Sequence, residues 1–162
     1  MIDKKKLIDE AASNGMCDIG LGRIKKEDAE GIIEYYLESP DWCMKRGFPD
    51  LDTIRNIIDG QKFSGIFVDR EFTGEMLNEF PVYIFHNCRG TIRVGINIDK
   101  KLIPVLYVAN GCRLKIIGSG EIVPIIPSIV SVFAFGNNQI TVESNKFVNI
   151  QLRTYELGDP NN

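Results

Sequence analysis

Between residues 82 and 142 the chain repeats itself three times. VYIFHNCRGTI (residues 82–92) overlies LYVANGCRLKI (residues 106–116) at an offset of 24, and that segment overlies VFAFGNNQITV (residues 132–142) at an offset of 26. The matches run Val82/Leu106/Val132, Ile84/Val108/Ala134, Cys88/Cys112/Asn138 and Ile92/Ile116/Val142. A third segment keeps similar offsets through Ile98, Ile122 and Val148. A repeat of this length, made of short alternating strands with Asn/Gly corners, marks the stacked coils of a β-solenoid.

Side-chain directions follow, because successive strand residues point to opposite faces. The first strand of each copy is expected to turn Val82/Ile84, Leu106/Val108 and Val132/Ala134 inward, leaving Tyr83/Phe85, Tyr107/Ala109 and Phe133/Phe135 outward. The second strand turns Cys88, Gly90 and Ile92 inward, then Cys112, Leu114 and Ile116, then Asn138, Ile140 and Val142. Its outward residues include Arg89, Arg93, Arg113 and Lys115. His86, Asn110 and Gly136 share the corner between strands, where a polar or permissive residue suits a bend. The expected coil has three faces and three short strands per rung. A parity error of one residue in any strand would exchange its inward and outward lists.

The chain before the repeat reads as short helices. Residues 3–13 are amphipathic and end at Asn14-Gly15. MCDIGLGRI (residues 16–24) has a GxG pair without the rest of a phosphate-binding fingerprint, and reads as a tight turn packing Ile19 and Leu21. Residues 26–38 form the clearest helix, with Ile32, Ile33, Tyr36 and Leu37 on its apolar face. Ser39-Pro40 starts the next, Gly47 closes it, and Asp50 opens a last one with Leu51, Ile54 and Ile58 sharing a face. Cys43, Gly47 and the following apolar pattern suit a helix-turn-helix. However, Asp50-Leu51-Asp52 puts carboxylates where phosphates would be met, with only Arg55 as a cation.

The expected fold is therefore α+β: a helical cap or docking region over 1–60, a short parallel β-helix of about three rungs over 61–157, and a tail at 158–162. Residues 60–80 serve as its irregular first coil, residues 147–157 as a final strand pair, and the prolines at 124 and 127 help to blunt an edge. The competing fold is an antiparallel β-sandwich of the same strands.

Charge and cysteine usage narrow the function classes. Residues 1–60 hold 13 acidic against 9 basic side chains, and the remainder 9 against 10. Neither part has the positive excess that nucleic-acid binding draws on. No apolar run is long enough for a membrane span, and no apolar segment follows the first lysines as in a signal peptide. Cys17, Cys43, Cys88 and Cys112 lack metal-ligand spacing, so a reducing, cytoplasmic setting is expected, with Cys88 and Cys112, on adjacent rungs, as small buried side chains or else as a disulfide. Of the acidic residues, only Glu143 stands on a repeat strand, and His86 has no carboxylate to orient it. No catalytic residue, metal site or cofactor is expected.

Two surfaces remain. The aromatic stripe Tyr83, Phe85, Tyr107, Phe133 and Phe135 is too large to leave in water, and is expected either under the helices or in the interface of a homo-oligomer. The basic stripe Arg89, Arg93, Arg113 and Lys115 is either a solvated face or a contact for an anionic partner.

YIFHNCRGTIRVGINIDK, PVLYVANGC and VFAFGNN, preceded by CDIGLGRI and SPDWCMKRGFPDL, resemble short uncharacterised proteins of phages and prophages of Bacteroidales-type gut bacteria. The resemblance carries no assigned residue. It implies a non-catalytic virion component such as a head or tail decoration, fibre segment or adaptor. Such a protein would bind itself, as a trimer for example, and other virion or host proteins, in host cytoplasm during assembly and then in the particle. The alternative is a host-directed soluble binding protein, a ligand sponge or inhibitor.

Overall fold

The computed structural model describes residues 3–26, 29–58, 65–120 and 128–157. The described residues up to 58, with Leu157, form one compact unit; residues 65–156 form a second.

The first unit holds α1 (Lys4–Ser13), α2 (Asp18–Lys26), α3 (Ala29–Glu38), α4 (Pro40–Arg46) and α5 (Leu51–Ile58). Asp3 caps α1 by accepting from the Lys6 N–H at 3.1 Å, and Asp50 caps α5 by accepting from the Thr53 N–H at 2.8 Å. Each satisfies a donor that a helix start leaves free. Ser39 precedes α4 without a side-chain cap bond, and Gly47 closes that helix in the left-handed region, at φ 62°. Leu7, Ala11, Ile32, Ile33 and Tyr36 are buried at helical spacing, and α5 buries Ile54 and Ile57 rather than Ile58. Residues 18–26 are helical where a tight turn was expected. Ile19 is 86 % exposed, and Gly20 fits because a Cβ there would come within 2.8 Å of Met16.

The second unit contains nine described strands. β1 (Ile66–Val68), β3 (Val82–His86), β5 (Val105–Ala109), β7 (Ser128–Phe135) and β9 (Val148–Tyr155) form one sheet in that order. β2 (Glu71–Leu77), β4 (Arg89–Val94), β6 (Arg113–Gly118) and β8 (Gln139–Glu143) form the other. Every ladder between named strands is parallel, and the chain crosses from one sheet to the other after each strand. The three-faced β-helix of about three rungs is thereby corrected, among the described residues, to two parallel sheets of five and four strands in a chain that also has five helices. The parallel ladders equally overturn the antiparallel sandwich. Among the described residues no third strand per rung is formed: Ile98 lies in a turn closed by an Asn97–Leu102 bridge, Val148 begins β9 of the five-stranded sheet, and Ile122 and the two prolines lie outside the described residues. The expected final strand pair is the single strand β9, and the expected irregular first coil holds β1 and β2.

Two or three residues connect each pair of strands at the corner, which forces a left-handed residue there. Asp69 (φ 54°), Asn87 (φ 50°), Asn110 (φ 61°) and Gly136 (φ 78°) supply it. Asn, Asp and Gly tolerate this region best. The corner residues also extend the ladder, since Asp69 N–H donates to His86 O and Asn87 N–H to Ala109 O. Inside the bend, Cys88 N–H donates to Cys112 Sγ at 3.2 Å and Cys112 N–H to Asn138 Oδ1 at 3.0 Å. At Cys112 and Asn138 the matched position thus provides an acceptor for the turn below it.

The interior lies between the sheets. Phe72, Tyr83, Phe85, Ile92, Val94, Leu106, Val108, Leu114, Ile116, Val132 and Ala134 belong to one buried cluster. Cys88 and Cys112 join it as free thiols. The inward list for the second strands holds, but the first copy of the first strand is reversed. Tyr83 pairs with Leu106 and Phe85 with Val108, an offset of 23. One extra residue in the next corner restores the offset of 24 between Arg89 and Arg113. That slip moves Tyr83 and Phe85 into the core and Ile84 to the other face.

Gly90 gives a direct test. It has φ 109°, and a Cβ there would collide with the Phe72 carbonyl on the paired strand; Gly111, at φ 75°, has nothing within 4 Å. In chemical denaturation Gly90→Ala is expected to lose about 3–5 kcal/mol, from strain plus overlap, and Gly111→Ala about 1–2 kcal/mol. Equal losses would contradict the strand register.

Candidate functional site

The outward face of the four-stranded sheet is set by register. Its rows read Glu71–Arg89–Arg113–Gln139, Thr73–Thr91–Lys115–Thr141 and Met76–Arg93–Ile117–Glu143. All four residues expected on the basic stripe are exposed there. The cations stand on the central strands β4 and β6, and the carboxylates on the edge strands β2 and β8. Arg89 reaches Glu71 at 3.5 Å and Lys115 reaches Glu143 at 2.9 Å. Such exposed pairs contribute at most about 1 kcal/mol each. Among the described residues Arg93 and Arg113 have no carboxylate partner.

The edge strand β2 is shaped by a bulge between Thr73 and Glu75, where Gly74 has φ 102°. The Glu75 carboxylate folds back to accept from Thr73 N–H at 2.8 Å and Thr73 Oγ1 at 3.1 Å. Hydrogen bonds from the Glu75 and Thr73 N–H groups hold its pKa below the usual value. One carboxylate at this edge is therefore occupied within its own strand.

The aromatic stripe divides. Tyr83 and Phe85 are interior, stacked with Phe67 at 6.2 and 5.5 Å, and Tyr83 Oη accepts from the N–H groups of Glu79 and Phe80. Tyr107, Phe133 and Phe135 lie on the opposite face of the five-stranded sheet. There Tyr155 joins them: Tyr107 stacks on Phe133 at 5.3 Å and Phe135 on Tyr155 at 5.2 Å. Phe135 is fully buried, whereas Tyr107, Phe133 and Tyr155 are half-buried. Tyr155 escaped the repeat because its offset from Phe135 has shortened to 20 residues.

His86 is buried at the corner, and Asn110 Nδ2 lies 2.7 Å from its Nδ1. An amide nitrogen can only donate, so the neutral ring carries its proton on Nε2. Burial pushes the His86 pKa down to about 4, against a weaker opposing effect of the Asp69 carboxylate. Cys112 is pushed up by its hydrogen bond to Cys88 and by burial, and burial pushes the Cys43 thiol up to about 12. Among the described residues no cluster of His, Cys, Asp and Glu is placed to hold a metal ion, and no helix is long and apolar enough to cross a membrane.

Two outcomes follow from these environments. Because the folded pKa of the single histidine lies below its ordinary value of about 6.5, its contribution is complete above that pH. It falls by about 3 kcal/mol as pH drops toward 4, through preferential protonation of the unfolded chain. Denaturation between pH 7 and 4.5 should show this loss, and His86→Gln should flatten it; an unchanged slope would refute the assignment. In native protein a thiol reagent should titrate Cys17, the exposed cysteine, with Cys43, Cys88 and Cys112 reacting only after unfolding. Compared with protein families, with curated proteins and with solved structures, this chain finds no match.

Proposed function

We propose that this chain is a non-catalytic structural and interaction protein, a virion component of the decoration, fibre-segment or adaptor kind, that docks an anionic partner on the outward face of its four-stranded sheet. The observation that carries this reading is the charge layout. Arg89, Arg93, Arg113 and Lys115 occupy the two central strands and the carboxylates the two edge strands, on an exposed face whose backbone is held by three parallel ladders. A rigid face loses little freedom on binding. Central cations attract an acidic partner, and edge carboxylates repel one that is displaced sideways. The phage context comes from the resemblance described above. Self-association belongs to the same reading, with the half-buried Tyr107, Phe133 and Tyr155 as its contact.

A second reading is a host-directed soluble binding protein. An open recess at the corner, lined by Arg113 and neighbouring amides, favours it.

Particles purified on a density gradient separate the two. The virion reading expects the chain in the particle band at a fixed ratio to the capsid protein. Arg93→Glu combined with Arg113→Glu should remove it from the band while changing stability by no more than about 0.5 kcal/mol. Recovery only in the particle-free fraction would overturn the virion reading in favour of the host-directed one.

A further inference from the structure

Successive corners of the second unit share one plan, so the places where they differ are informative. At the first, Asp69 accepts from Asn87 Nδ2 at 2.7 Å, and Glu71 faces Arg89 at 3.5 Å. The recess there is lined by Asp69, Arg70, Glu71, Asn87 and Arg89, so both signs of charge are present and Arg89 has a carboxylate partner. Further up, a second recess of about 370 Å³ is lined by Gly111, Cys112, Arg113, Asn137, Asn138 and Gln139. Arg113 occupies the position of Arg89, but its neighbours in register are Arg89 and Gln139. Among the described residues no acidic side chain lines this recess.

The hydrogen-bond accounting separates the lining residues. Cys112 and Asn138 are engaged within the chain: Cys112 N–H donates to Asn138 Oδ1, and Asn138 Nδ2 to Phe135 O. Gln139 spends its N–H on Cys112 O. Among the described residues the side chains of Arg113, Asn137 and Gln139 form no hydrogen bond or ion pair. One guanidinium fork and two flanking amides, with no carboxylate to neutralise them, form an incomplete anion site. We infer that this corner binds a small carboxylate, with Arg113 as its bidentate partner and Asn137 and Gln139 as flanking donors. A planar monoanion suits a single fork. A phosphate dianion would draw on a second cation, and Arg89, the nearest in register, already faces Glu71.

The carboxylate could be a free acid or a side chain of a bound protein. The site shares Arg113 with the docking face proposed above, but it is tested on the isolated chain with small probes, so its failure and that of the virion reading are distinguishable. Amide shifts of the ¹⁵N-labelled full-length protein are followed while sodium acetate replaces sodium chloride at constant ionic strength. Sodium phosphate and a blocked Gly-Asp-Gly peptide are titrated in the same way. Saturable shifts confined to residues 111–113 and 137–139 are expected, with a Kd on the order of 1 mM. Arg113→Gln should weaken binding at least about tenfold, whereas Arg153→Gln, on the other sheet, should leave it unchanged; melting curves confirm that both variants fold. Tighter binding of the peptide than of acetate assigns the site to a protein-borne carboxylate, and the reverse to a free acid. Shifts that never saturate, saturation unchanged in Arg113→Gln, or phosphate binding tighter than acetate would each overturn the inference.

Discussion

The second unit depends on its corner. To pair strands in parallel while alternating between two sheets, the chain reverses its facing within two or three residues as it passes from β1 to β2, β3 to β4, β5 to β6 and β7 to β8. A left-handed residue makes that possible, and Asp69, Asn87, Asn110 and Gly136 each provide one. The bend would bury N–H groups without partners. The Cys112 sulfur and the Asn138 amide oxygen, each one turn further on, accept from them. Loss of an acceptor at this position would leave a buried donor unsatisfied, at a cost of about 1–3 kcal/mol. Cys112 is therefore best understood as a compact acceptor that also fills the core, while the Cys88 thiol fills the core and donates to backbone carbonyls.

With the corners fixed, the two sheets meet different demands. The four-stranded sheet turns Phe72, Leu114 and Ile116 inward and a row of charges outward. Its exposed face tolerates long cationic side chains because nothing on that side requires packing. In the five-stranded sheet both sides carry apolar groups: Tyr83, Leu106 and Val132 inward, and Ile84, Tyr107, Phe133 and Phe135 on the other side. The second side is ordered by ring stacking along the ladder, where aromatic pairs of adjacent strands add to the hydrogen bonds. The same backbone thus carries one polar face suited to reversible contacts and one face rich in aromatic contacts.

Parallel pairing of like with like could be read from the repeat wherever the corner length stayed constant. Arg89, Arg113 and Gln139 align as the sequence suggests, and so do Ile92, Ile116 and Val142. The failure at Tyr83 and Phe85 has a local cause. The corner before Arg113 is one residue longer than the corner before Arg89, so an alignment anchored on the cysteines misplaces the preceding strand by one. A sheet with a period of two converts that single residue into a complete exchange of faces. Apolar burial on both sides of the five-stranded sheet hid the error, because every residue of the strand looks equally suited to an interior. Tyr155 was hidden differently, by a shortened final repeat. In the helical unit, α2 was missed because its two glycines suggested a turn, whereas Gly20 serves close packing against Met16.

Imperfection of the repeat also shapes the polar surface. If the row through Arg113 had continued the Glu71–Arg89 pairing, Arg113 too would meet a carboxylate on a neighbouring strand. Instead arginine is kept at position 113 while its neighbours in register are another arginine and a glutamine. Stability does not require this, since an exposed pair is worth little to the fold. The arrangement keeps one guanidinium unpaired beside free amides, at a corner whose backbone is held on both sides by ladder hydrogen bonds. Ligand recognition gains most from such a site, because the polar groups are already placed and binding orders few side chains.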